Sequence, residues 1–241
     1  MQIAMVSMSP TVARARATVR SAFNVDPTCI VQVLDLDGSY VPLGAEQVLT
    51  PLDVGIDTRE LHLRAMLLDP DGLVRWVQPA LLRHGLLTTP TVLSVGAGVL
   101  LLGDPCELTV IAAEHRACLL ARSAQAIRAD GTWPGPVDLL KHGSYSPQLI
   151  AVSREAIAFV SEWEQLAADP RTASDRWLDA AASHLPHRTA HAARFLVSAW
   201  TGASTRISHG PAGTLQGEGE RDKSEQAAGG KGRIEWGSAR R

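Results

Sequence analysis

The stretch Thr91 to Leu108, TVLSVGAGVLLLGDPCEL, constrains the fold more than any other part of the chain. An apolar run of β-branched residues and Leu leads into the turn Gly96-Ala97-Gly98. A second apolar run follows, and Asp104-Pro105 opens a helix. Near-continuous apolar character suits a strand covered by helices on both faces, so residues 91 to 95 are predicted as the centre of an α/β sheet. In an open sheet of this kind the loop beyond such a strand is where a ligand is held.

The rest of the chain supplies the matching pieces. Ile3 to Val6 reads as a strand and Ser9-Pro10 as a helix cap with Pro at the first helical position. Val12, Ala15, Val19, Ala22 and Phe23 recur at helical spacing, and Cys29 to Leu34 is a second buried strand ending in the acidic turn Asp35-Leu36-Asp37-Gly38. Strand, helix, strand in this order opens a parallel sheet. Asp57 caps a helix carrying Leu61, Ala65 and Leu68, which Asp69-Pro70-Asp71-Gly72 closes, and a further helix spans about Val74 to Leu87. Beyond the centre, Glu107 to Ala113 is helical, Ala117 to Ala121 is a strand, and residues 122 to 142 read as a surface loop. Gln148 to Val152 is a strand, Ser153 caps a helix with Phe159, Val160 and Trp163 on one face, and Trp177, Leu178 and Ala181 mark a last helix.

Composition narrows the function. A net charge of -2 over 241 residues gives no basic field, which disfavours nucleic acid as a partner. Three widely spaced cysteines, Cys29, Cys106 and Cys118, fit reduced, buried thiols and form no metal-ligand pattern. The N-terminus lacks a basic, apolar leader and no run is long enough to span a membrane, so a cytoplasmic protein without a transmembrane segment is expected. From 201 to 241 the chain turns Gly-rich and mixed in charge, with few large apolar residues, which predicts a disordered tail after a domain over 1 to 200.

Laid end to end, SYVPLGAEQVLTPLDVGI, VQPALLRHGL, TVLSVGAGVLLLGDPCEL, GSYSPQLIAVSREAIAFVSEWEQL and SDRWLDAA resemble nucleotide-sugar glycosyltransferases of the GT-A fold. The likeness is to a bacterial group whose core reads roughly K-P-x-x-L-R-H-L, Y-L-D-P-D-I-x-V, G-x-Y-N-x-G-F-L-A-x and D-Q-x-W-L-D. It implies an α/β, GT-A-like, mostly parallel sheet with helices on both faces, and transfer of a sugar from a nucleotide-sugar donor. It further implies Asp175 as a catalytic residue and donor-nucleotide contacts at Ser7, Asp35, Asp37, Gly96 and Gly98. Acceptor and oligomeric state are not implied.

The chain departs from that pattern where the family binds metal. Two carboxylates on a tight turn hold Mg²⁺ or Mn²⁺ against the donor diphosphate. Here the turn is Gly96-Ala97-Gly98, so a divalent metal is not expected at the usual site. The family's Lys before Pro is Gln78, its Asn-x-Gly is Ser146-Pro147-Gln148, and its Asp-Gln is Asp175-Arg176, where Arg176 is a substitute source of charge. Of two literal D-x-D triplets, Asp35-Leu36-Asp37 reads as nucleoside contact, metal ligand or plain acidic turn, and Asp69-Pro70-Asp71 as a helix-ending turn. His184, His187 and His191 lack a completing acid or Cys and are not expected to bind metal. A catalytically degenerate or truncated relative, acting as a nucleotide- or protein-binding module, is the alternative to an active transferase.

Overall fold

The computed structural model describes residues 1–122, 136–169 and 176–191. In chain order the elements are β1 (Gln2–Ser7), α1 (Val12–Val25), β2 (Ile30–Asp35), β3 (Gln47–Leu49), α2 (Thr58–Leu67) and α3 (Pro70–Thr88). They continue with β4 (Thr91–Val95), α4 (Cys106–His115), β5 (Ala117–Ala121), α5 (Pro136–His142), β6 (Tyr145–Ser153), α6 (Ile157–Ala167), α7 (Arg176–Ala182) and β7 (Arg188–His191).

Among the described residues the strands form one seven-stranded sheet in the order β3-β2-β1-β4-β6-β5-β7. The predicted central strand therefore holds the middle place. β1 pairs parallel with β2 and β4, β2 with β3, and β5 with β7, while β6 runs antiparallel to both β4 and β5. The result is a mostly parallel α/β sheet.

Side-chain alternation divides the core. Ala4, Val6, Leu34, Val92, Ile150 and Val152 face a layer built from α3, α6 and α7, where Leu81, Leu82, Phe159, Trp163 and Trp177 are buried. Ile3, Met5, Val33, Leu93, Val95 and Ala151 face the other way, onto Ala15, Val19 and Ala22 of α1 and Leu108 and Ala112 of α4. Both faces are thus covered. Burying Trp163 and Trp177, each 1% exposed, stabilises the first layer by roughly 2–3 kcal/mol per side chain.

Several local expectations change. Ser9 does not cap α1: Thr11 stands at the cap position, and Ser9 lies in a short 3-10 turn, Ser9–Thr11, ahead of the helix. Asp69 opens a helix rather than ending one, because Pro70 suits a first helical position and the Asp69 carboxylate accepts the Gly72 N–H at 2.6 Å. Ser153 precedes a 3-10 turn, yet its hydroxyl caps nothing and has no partner. Cys106 is exposed at the start of α4, unlike buried Cys29 and Cys118. β3, α5 and β7 were not expected; α5 covers the end of the stretch read as a loop, and residues 123–135 of that stretch are outside the described residues. The predicted disordered tail, 201 to 241, is also outside them.

Candidate functional site

Parallel pairing aligns the carboxyl ends of β1, β2, β3 and β4, and the reversed β6 brings its first residues to the same edge. Ser7, Asp35 and Gly96 all fall there. Ser7 is the register partner of Asp35 at the last rung of β1 and β2. Ser7 stands two residues beyond Met5 and Asp35 two beyond Val33, both packed on the α1 side, so both side chains lie on that face of the sheet.

Ser7 is 0% exposed and Asp35 is 7% exposed. One Asp35 oxygen accepts the Tyr40 N–H at 2.9 Å, but Asp35 Oδ1 and Ser7 Oγ have no hydrogen-bond partner in the protein. Ser153 Oγ, at the last residue of β6, is the other buried side-chain oxygen of the sheet without a partner among the described residues, and the buried glutamines are satisfied. Gln2 donates to Gln32 at 2.6 Å and Gln32 to Gln47 at 3.1 Å, while Gln78 on α3 donates to Ser94 at 2.8 Å and to the Pro147 carbonyl at 3.0 Å. A buried group left without a partner costs roughly 1–3 kcal/mol, so an unpartnered hydroxyl and an unpartnered carboxylate oxygen on register-paired residues mark a place where a ligand group would be stabilising.

Asp37, two residues on, is already engaged. Its carboxylate accepts the Ser9 N–H at 2.8 Å and the Ser39 hydroxyl at 2.5 Å, tying the end of β2 to the turn that starts α1. Burial pushes this carboxyl up, but those bonds, the Ser39 N–H and the neighbouring Asp35 carboxyl outweigh it and hold it below the ordinary Asp value. The loop then folds around Glu46, which is 6% exposed and accepts the Leu43 N–H, the Gly44 N–H at 2.9 Å and the Tyr40 hydroxyl at 3.1 Å. Burial opposes ionisation of Glu46, and the Leu43 N–H, its own N–H, the Tyr40 hydroxyl and the Gly44 N–H more than offset it, keeping it below its usual value. Burial, followed by the Glu46 charge, raises the Tyr40 hydroxyl far above its ordinary value. Arg16 on α1 donates to the Val41 carbonyl at 3.2 Å and lies 6.0 Å over the Tyr40 ring, anchoring the loop.

The turn after β4 carries no anionic ligand. Gly96 N–H continues the sheet by donating to the Gln148 carbonyl at 2.7 Å. Gly98 has φ +99°, a conformation only glycine adopts readily, and its N–H donates to Thr18 Oγ1 at 2.9 Å. Leu101 N–H donates to Ser21 Oγ at 3.0 Å, so two hydroxyls of α1 hold the loop against that helix. From Thr91 to Gly103 the chain has no carboxylate, the ligand type that Mg²⁺ or Mn²⁺ takes from such a turn. The residues present do not fit the two-carboxylate metal site of the resemblance, and among the described residues no group of three His, Cys, Asp or Glu side chains is arranged to hold an ion.

The structure thus brings Ser7, Asp35, Asp37 and Gly96 to one edge, while Gly98 turns its amide onto α1. Asp175 falls within 170–175, outside the described residues. Asp69 is a helix cap, His184 pairs with Glu162 at 2.5 Å, and His187 meets the Tyr145 hydroxyl at 3.0 Å; nothing is described of the His191 side chain. Sequence reading missed Tyr40, Glu46 and Thr18 as supports of the site. A Glu nine residues beyond a D-x-D carries no signal of its own, since its role depends on a loop path that local pattern does not specify.

No protein-family model and no curated protein matches the chain. Among solved structures it is similar to the galactosyltransferase LgtC in complex with donor and acceptor sugar analogues, at 13% identity and TM-score 0.48, over 79% of this chain and 73% of that one. It is similar to the glycosyltransferase GlyE of Streptococcus pneumoniae TIGR4, at 9% identity and TM-score 0.47, over 78% of this chain and 44% of that one. A third is 4-diphosphocytidyl-2C-methyl-D-erythritol synthase from Anaerococcus prevotii DSM 20548, at 13% identity and TM-score 0.42, over 79% of this chain and 87% of that one. At these identities and scores none of them assigns a reaction or a site residue.

Proposed function

We propose that the chain is a glycosyltransferase-like protein that binds a nucleotide-sugar donor at the carboxyl edge of β1, β2 and β4, without a metal held by the turn after β4. The observation that carries this reading is the open pair Ser7 Oγ and Asp35 Oδ1, buried and without a protein partner at that edge. A nucleobase edge or a ribose hydroxyl offers the complementary donor and acceptor. The motif order along the first 200 residues supports the same class.

In the transfer reaction the anomeric carbon–oxygen bond of the donor breaks, and the nucleoside diphosphate leaves with the electron pair. An acceptor hydroxyl forms the new bond and loses its proton. Ser7 and Asp35 bind the nucleoside, Asp37 holds the β2 loop onto the start of α1, and the turn at Gly96 and Gly98 borders the diphosphate. Asp175 is proposed as the carboxylate that acts at the acceptor side.

A second reading has its own support. The turn without carboxylates favours a binding module that keeps the donor pocket but not the transfer. Calorimetry of the full chain with UDP-, GDP- and dTDP-sugars, followed by turnover assays, separates the two. Binding weakened by Asp35→Asn, with hydrolysis or transfer lost in Asp175→Asn, supports the enzyme; binding without turnover supports the module. Binding of no sugar nucleotide contradicts both.

A cytoplasmic protein is proposed on the free state of Cys29, Cys106 and Cys118. Among the described residues no helix is long and apolar enough to cross a membrane.

A further inference from the structure

We infer that Arg14 supplies the positive charge facing the donor diphosphate, at the turn where carboxylates and a metal stand in the related enzymes. The inference rests on the donor reading given above.

Three observations lead to it. The turn is held in place: Gly98 N–H donates to Thr18 at 2.9 Å and Leu101 N–H to Ser21 at 3.0 Å, so the loop is laid along α1 rather than free to move. Arg14 is the basic residue one helical turn before Thr18, and its stem crosses the glycine. A Cβ placed on Gly98 would meet Arg14 Cδ at 3.4 Å and Cβ at 3.5 Å. The third observation is charge. The Arg14 side chain is exposed, and among the described residues its guanidinium has no hydrogen-bond, ion-pair or ring partner. Its neighbour on the same helix, Arg16, is by contrast committed to Val41 and Tyr40.

An unpaired guanidinium beside a turn stripped of acid inverts the electrostatics of a metal site. A carboxylate pair needs a divalent cation before it attracts phosphate, whereas a fixed guanidinium attracts phosphate directly and matches its oxygens with a fork of donors. Aspartates on the turn would pair with Arg14 and cancel it. The absence of acid from Thr91 to Gly103 and the presence of Arg14 across Gly98 are therefore two parts of one arrangement. The open Ser7 hydroxyl, buried on the α1 face of the same edge, supplies a second polar contact for the nucleotide.

The test is calorimetric titration of the full chain with UDP, GDP and dTDP and with uridine, guanosine and thymidine, each with EDTA and with Mn²⁺. For the base that binds, the diphosphate is expected to bind more tightly than the nucleoside, equally in EDTA and Mn²⁺. Arg14→Gln is expected to weaken the diphosphate about tenfold or more while leaving the nucleoside unchanged, the loss of one charge-assisted phosphate contact, and Arg14→Lys to recover part of it. The melting temperature serves as the control for folding. Nucleoside binding with a diphosphate increment that ignores Arg14, that falls instead in Arg176→Gln, or that disappears in EDTA overturns the role of Arg14 and leaves the donor reading standing. If neither nucleosides nor diphosphates bind the wild-type chain, the donor reading falls and Arg14 with it.

Discussion

Ser7 and Asp35 are register partners at the last rung between β1 and β2, and each keeps a buried oxygen with no partner in the protein. The two differ in what else they do. Ser7 makes no other side-chain bond, whereas the second Asp35 oxygen accepts the Tyr40 N–H at 2.9 Å. Ser7→Ala should therefore leave stability unchanged or raise it by up to about 1 kcal/mol while weakening nucleotide binding, because it removes an unsatisfied hydroxyl. Asp35→Ala should cost about 1–2 kcal/mol through the stranded Tyr40 amide, and abolish binding. Chemical denaturation alongside calorimetry reads both.

Asp37 separates from Asp35 in the same measurements. Its carboxylate acts on the Ser9 amide like a helix cap, so Asp37→Ala should cost about 1 kcal/mol of stability with a smaller effect on nucleotide affinity than Asp35→Ala. Equal losses of affinity in the two variants would contradict this division of roles.

The β2 loop should respond to acid. Asp37 and Glu46 both have folded-state pKa values below their ordinary ones. Their contribution to stability is therefore complete above the unfolded values of about 3.9 and 4.3, and fades as pH falls below these through the depressed folded values. Denaturant midpoints measured from pH 6 down to pH 3 should fall faster for wild type than for Asp37→Asn with Glu46→Gln, which starts lower.

Gly98 is the position of the turn where a side chain is least tolerated. At φ +99°, Gly98→Ala should destabilise by about 1 kcal/mol or more through backbone strain, its new Cβ resting in ordinary contact with the Arg14 stem at 3.4 Å. Gly96→Ala clashes with the far end of the Gln148 side chain, whose Oε1 and Cδ would lie 1.8 and 2.8 Å from the new Cβ and must swing away, while the Gln148 Cα at 3.4 Å is in ordinary contact. Thermal unfolding of the two variants should rank Gly98→Ala as the more damaging.

How far the sequence alone leads depends on whether a feature is local. The apolar run at 91 to 95 announces a strand buried on both sides, and it occupies the centre of the sheet. The α1 and α6 stripes are equally legible, since Ala15, Val19 and Ala22, or Phe159, Val160 and Trp163, repeat at the spacing that buries one helix face. Strand direction is not local. β6 has the apolar content of the parallel strands in the sheet, and only the path of the chain turns it antiparallel to β4 and β5. Capping residues mislead for a related reason: Ser9 and Asp69 have the chemistry of a cap, but which helix end each meets is decided by the turn geometry around Pro10 and Pro70. In the site, the acidic pair at 35 and 37 stands out in the sequence, yet its division into an open oxygen and an engaged carboxylate depends on Tyr40 and Ser9.

The central claim is that the carboxyl edge of β1 and β2 receives a nucleotide. A crystal structure of the full chain soaked with the nucleoside diphosphate that binds best tests it most directly. The account predicts the nucleoside within hydrogen-bond distance of Ser7 Oγ and Asp35 Oδ1, with its phosphates towards the turn at Gly98. A nucleotide bound elsewhere, with those two oxygens still unpartnered or closed off by water alone, would contradict it.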